Sequence, residues 1–167
     1  MRGPIILTAL FSAADHALLD GLRRAHYPPG RDRVPAHLTL FHHLPPSLED
    51  ALSGQVRRMA AGPPPAAILA GTINLGGGTA LRVRSPGLET IRAELADAFA
   101  GMLIPQDRAA WRPHVTIQNK VPAAEARALQ HALAGRFENR PLAIAGLGAW
   151  EYRGGPWAPL GRWAFRG

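Results

Sequence analysis

The chain has 167 residues, 47% of them hydrophobic, enough for one substantial core or two small fused lobes and too apolar for a disordered segment. It has no cysteine, which excludes disulfides, thiolate nucleophiles and Cys-ligated zinc and fits a reducing, cytoplasmic setting. The net charge is +7 and Lys120 is the only lysine among 19 basic residues; this arginine excess favours phosphate-bearing partners, and it equally fits a GC-rich coding sequence.

Ile5 to Phe11 reads as a strand, far shorter than a membrane span. Ser12 and Asp15 read as a helix N-cap and its N3 partner rather than the end of a signal peptide, and Ala14, Leu18, Leu19 and Leu22 form the apolar side of the helix they open. The tetrapeptide His37-Leu38-Thr39-Leu40 follows on a second strand. Pro45 then opens an amphipathic helix through Leu48, Leu52, Val56 and Met59, with Ser47 and Asp50 as its cap, and residues 67–75 make a third strand. Gly76-Gly77-Gly78 marks a turn.

The same order then recurs. Residues 80–84 form a strand, Ser85-Pro86 starts a helix bearing Leu88, Ile91, Leu95, Phe99 and Met102, and His114-Val115-Thr116-Ile117 repeats the earlier tetrapeptide 77 positions after His37. Pro122 opens a helix through Ala126, Leu129 and Leu133, and 142–150 is the closing strand. In the tail, Trp150-Glu151-Tyr152 and Trp163-Ala164-Phe165 flank Gly154-Gly155-Pro156 as the arms of a hairpin. The reading is an α+β fold of duplicated β-α-β-α-β units, forming two small sheets around a central cleft with pseudo-two-fold symmetry and helices outside. It is one bilobal domain over 1–167, with pseudo-repeats at about 1–75 and 79–152 and a C-terminal hairpin at 150–165. The two motif strands are expected to form its central pair.

Chance alone gives roughly 0.25 His-x-Thr matches in a chain of this composition, and two occur at equivalent places of a repeat. Alternation puts the imidazole and hydroxyl of each pair on one face of their strand, so His37, Thr39, His114 and Thr116 are the candidate catalytic residues facing one cleft. Two histidines on opposite sides of a phosphate supply a base for the attacking oxygen and an acid for the leaving oxygen, and the threonines supply donors to the non-bridging oxygens. Such chemistry needs no metal and no cofactor. Continued alternation adds Phe41 and His43 on the first strand and Gln118 and Lys120 on the second as substrate-binding candidates, with Tyr152 and Trp157 of the tail as stacking platforms.

The paired motifs, with the flanking Trp111-Arg112-Pro113 and Gln118-Asn119-Lys120-Val121, resemble the 2'-5' RNA ligase family of two-histidine phosphoesterases. The resemblance implies a cyclic phosphodiesterase that opens 2',3'-cyclic phosphates of RNA ends or nucleotides to 2'-phosphates, with reversible 2'-5' ligation as a side activity. It also implies that His37 donates a proton to the departing 3' oxygen and His114 accepts one from water. Many members carry an arginine shortly after the second motif, where Asn119 and Lys120 stand here. The expected state is a cytoplasmic monomer with no membrane contact.

Other readings compete with this one. Both His-x-Thr pairs could be buried strand residues satisfied by backbone groups. A metal site of His37, His42 and His43 fails because adjacent strand residues face opposite ways, and no zinc pattern supports it. A non-catalytic RNA-binding protein would use scattered arginines and tail aromatics, and a two-histidine phosphodiesterase could also act on a non-RNA cyclic phosphate. His16, His26 and His131 fall on helices or their ends and take no role.

Overall fold

The computed structural model describes residues 2–30 and 34–167. Two four-stranded antiparallel sheets carry the fold. The first runs β2 (Leu38–Leu44), β1 (Ile5–Phe11), β7 (Ile144–Glu151), β8 (Ala158–Ala164); the second runs β5 (His114–Gln118), β4 (Thr79–Arg84), β3 (Ile68–Asn74), β6 (Glu138–Pro141). The helices are α1 (Ala13–His26), α2 (Glu49–Ala60), α3 (Pro86–Ala98), the single turn α4 (Pro105–Arg108) and α5 (Ala123–Leu133). The α+β class, the duplication and the paired sheets agree with the sequence reading.

Strand membership differs from it. The last strand of each repeat crosses over: β3 pairs with β4 in the second sheet, and β7 inserts between β1 and β8 in the first. Local hairpin geometry decides this. Leu75 N donates to Gly78 O at 2.9 Å across the glycine turn, Gly76 has φ +86°, and a Cβ on Gly78 would lie 2.1 Å from the Gln118 carbonyl oxygen. A turn that tight returns β3 directly onto β4. The motif strands are accordingly not a central pair; each is the outer member of its own sheet, facing the other across the cleft. The tail hairpin forms with longer arms than expected, Leu147 opposite Trp163 and Trp150 opposite Pro159.

Two of the expected caps hold and two do not. Ser12 accepts from Asp15 N and Ser85 from Leu88 N. Asp15 does not reach back to its cap; its carboxylate accepts from Ala143 N at 2.8 Å and from Arg140, tying α1 to β7's approach. Ser47 lies in a 3₁₀ turn, Pro46–Leu48, and α2 begins after it without a side-chain cap.

Apolar faces of both sheets and the helices merge into one core, with Leu7, Leu38, Leu40, Leu81, Leu88, Val115 and Leu147 fully buried. Two arginines cross between the halves. Arg23 of α1 donates to Thr116 O at 2.8 Å on β5, and Arg92 of α3 donates to Leu40 O at 3.1 Å on β2. Both are buried, and each guanidinium lies over an aromatic ring, Tyr27 at 4.1 Å and Phe41 at 4.4 Å respectively. Each half therefore sends a cation to the motif strand of the other. Among the described residues, no helix is long and apolar enough to cross a membrane.

Candidate active site

β2 and β5 are bulged at the same place. On β1, Thr8 faces Thr39 but Leu7 faces Phe41; on β4, Ala80 faces Thr116 but Thr79 faces Gln118. One extra residue directly after each motif reverses the alternation. Leu40 and Phe41 are both buried as a result, and so are Ile117 and Gln118.

The bulges preserve the motif face and scramble what lies beyond it. His37, Thr39, His114 and Thr116 all line one cavity of about 320 Å³ between the sheets. Phe41, expected on that face, is instead core, stacked under Arg92. Gln118 is likewise buried, accepting from the Thr79 hydroxyl at 3.0 Å. His43 is exposed and outside the cavity lining, Lys120 sits exposed past the end of β5 at φ +58°, and Tyr152 is 45% exposed away from the cleft. Of the expected substrate contacts, only Trp157 is brought to the motif residues: its indole meets the His37 ring edge-on at 4.7 Å between centroids. The Gly154-Gly155-Pro156 turn of the tail hairpin carries it there.

Backbone carbonyls fix both imidazoles. His37 Nδ1 donates to Pro35 O at 2.8 Å and His114 Nδ1 donates to Arg112 O at 2.7 Å, in each case two residues upstream. A carbonyl can only accept, so Nδ1 carries a proton in both rings and Nε2 is left as the working nitrogen. Burial lowers the His37 pKa from 6.5 to about 4; the bond to Pro35 opposes the shift, and Arg23, His42 and His114 reinforce it. In the free protein His37 is therefore neutral at pH 7.

Several cavity residues were not anticipated from sequence. Trp111 donates its indole N–H to Thr39 O at 3.0 Å, and Arg92 crosses beneath it toward Leu40 O and Asp107 O. Arg112 and Gln106 complete the rim, and none of the described residues lining the cavity is acidic. A signal for Arg92 existed: Leu88, Arg92, Leu95 and Phe99 fall on one helical stripe, and an arginine on an inward stripe needs an acceptor. His42 also lines the cavity, because the bulge turns it to the face that strict alternation assigns to His43. Among the described residues, no three His, Asp or Glu side chains converge as a metal ligand set.

A second cavity of about 480 Å³ adjoins the first, and His37 and Trp157 belong to both linings. Trp150 and Phe11 give it aromatic walls, and Arg162 lies over the Trp150 ring at 5.6 Å. Trp150 is fixed in turn, its indole N–H donating to Thr8 Oγ1 at 2.9 Å.

Paired His/Thr strands from a duplicated fold, aimed into one basic cleft, define a two-histidine phosphoesterase scaffold. Residues 11–156 match the 2'-5' RNA ligase superfamily, and the chain belongs to that family. Among solved structures it is similar to TT0787 of Thermus thermophilus, at TM-score 0.67 and 18% identity over 100% of this chain and 99% of that one. It is also similar to E. coli LigT complexed with 3'-AMP, at TM-score 0.62 and 20% identity with both chains fully covered. LigT complexed with NADP+ gives TM-score 0.64 and 21% identity over 99% of each chain. No curated protein matches the sequence.

Proposed function

We propose that this protein is a metal-independent phosphodiesterase that opens 2',3'-cyclic phosphates of RNA ends or nucleotides to 2'-phosphates. The observation that carries the reading is the pair of imidazoles with Nδ1 pinned to the carbonyl two residues upstream, so that both Nε2 atoms are free toward one cavity that also presents two threonine hydroxyls. Water attacks phosphorus as His114 accepts its proton; the bond from phosphorus to O3' breaks as His37 delivers a proton to O3', leaving the phosphate on O2'. Thr39 and Thr116 donate to the non-bridging oxygens. With a 5'-hydroxyl end in place of water, the same step joins the two ends through a 2'-5' linkage and frees O3'; its reverse cleaves that linkage. The adjoining cavity with its Trp150 and Phe11 walls has room for a nucleoside beside the phosphate, and the LigT structures named above hold nucleotides.

Substrate binding supplies what the neutral His37 lacks. An anionic phosphate beside the ring favours imidazolium, so the group that is neutral in the free protein becomes the acid in the complex. The expected pH profile is a bell in which the acid limb of kcat/KM lies near pH 4, set by free His37, while the acid limb of kcat lies higher, set by the bound complex. Initial rates from about pH 3.5 to 9 check this; coincident limbs near 6.5 would contradict it.

The direct test is incubation with a panel of 2',3'-cyclic nucleotides and cyclic-phosphate-ended oligonucleotides, assigning products by phosphorus NMR. Conversion to 2'-monoesters is the expected result. Binding of RNA without turnover, or release of 3'-monoesters, overturns the proposal.

A further inference from the structure

The two halves of the cleft match through the bulge that follows each threonine and then part company. Five positions after each motif histidine stand His42 and Asn119. Asn119 folds its side chain onto the following backbone, accepting from Lys120 N at 2.9 Å. His42 instead lines the cavity and is held from behind by Asp107 of α4, a carboxylate with 0% exposure contributed by the other half of the chain.

Asp107 makes two kinds of contact. It accepts the backbone N–H groups of His42, at 2.9 and 3.1 Å, and of His43, at 2.9 Å. Those two amides lie at a second irregularity of β2, between the Phe41 and Leu44 pairings, and β5 has no counterpart because it ends at Gln118. The backbone contacts thus answer a need of the strand. The third contact, His42 Nδ1 donating to Oδ1 at 3.2 Å, answers none: the His42 side chain is 42% exposed and contributes nothing to the core. What that bond does is orient the ring, leaving Nε2 as its outward atom in a cavity that also holds His37, His114, Arg92 and Arg112.

We propose that His42 is a third phosphate-binding histidine of this cavity, oriented by Asp107 so that its Nε2–H donates to a non-bridging oxygen of the bound phosphate. The ring in the complex lies between two acceptors, carboxylate on one side and phosphate on the other. Asp107 is a positioning residue, and His42 is the group that touches the ligand. The assignment rests on the cavity taking a phosphate ester, as the proposed function has it, and not on which ester is cleaved.

Binding of inorganic phosphate by calorimetry, together with KM and kcat on a 2',3'-cyclic nucleotide, tests it in the wild-type chain, His42→Leu and His42→Gln. Both variants leave Asp107 its two backbone partners, and thermal melts verify that they fold. His42→Leu is expected to weaken phosphate binding about tenfold or more and to raise KM more than it lowers kcat. His42→Gln, which keeps a donor near the Nε2 position, is expected to recover most of the affinity. Wild-type affinity in His42→Leu, an equal loss in both variants, or no phosphate binding by the wild-type chain overturns the assignment. A wild-type chain that binds phosphate through His42 but leaves every cyclic phosphate uncut sinks the proposed reaction and leaves the assignment standing.

Discussion

His37→Ala and His114→Ala are each expected to lower the rate of cyclic phosphate cleavage by at least about a hundredfold, the low end for loss of a general acid or base. Both rings line the cavity, His37 just before β2 and His114 at the start of β5, and neither substitution touches a strand pairing, so the variants should keep the melting temperature of the parent within a few degrees. The double variant should be little worse than the weaker single one, because a base without its acid partner has lost most of its use. Initial rates on one cyclic nucleotide, with circular dichroism as the folding control, decide the matter. A loss of less than tenfold in both single variants would remove these residues from the chemistry.

Asp107→Ala is expected to have the largest effect on stability of any single substitution near the cleft. The side chain is fully buried and answers two backbone N–H groups of β2, which alanine would leave without an acceptor. Each orphaned amide costs about 1–3 kcal/mol, so urea unfolding should show a loss of about 2–6 kcal/mol. The pH dependence has a definite sign. Burial pushes the Asp107 pKa up, but the bonds from the His42 ring and from the two amides outweigh it and hold the carboxyl below its usual 3.8. A carboxylate depressed by folding stabilises the protein above its unfolded pKa, and that contribution fades as pH falls through the folded value. The parent should therefore lose stability below about pH 4, and Asp107→Ala should lose less over the same range. Parallel acid limbs for the two proteins would show that folding does not depress the Asp107 pKa.

Much of this was legible in the chain, and for identifiable reasons. His37, Thr39, His114 and Thr116 could be placed on one face because two-residue spacing survives any strand pairing. Ser12 and Ser85 could be read as caps because capping is a matter of three or four neighbouring residues. Phe41, Gln118 and His42 could not be placed, because a bulge leaves no mark in the apolar pattern yet inverts every side chain after it. The exchange of β3 and β7 between sheets escaped the sequence reading for a different reason. Apolar runs announce strands but not their partners, and only the tightness of the turn closed by Leu75 and Gly78 settles where β3 goes. Arg23 and Arg92 stood on inward helical stripes all along, which marked them as needing acceptors without saying that the acceptors lay across the molecule.

The exchanged strands and the crossed arginines make each half of the chain depend on the other. One half folded by itself would expose the gap into which β3 or β7 inserts, and Arg23 or Arg92 would keep only the acceptors of its own half, losing the one on the other motif strand. Two such halves, each lending the other a strand, fill both gaps at once. Because both halves belong to one chain, they need not be identical, and His42 opposite Asn119 is a difference that a pair of identical copies could not carry.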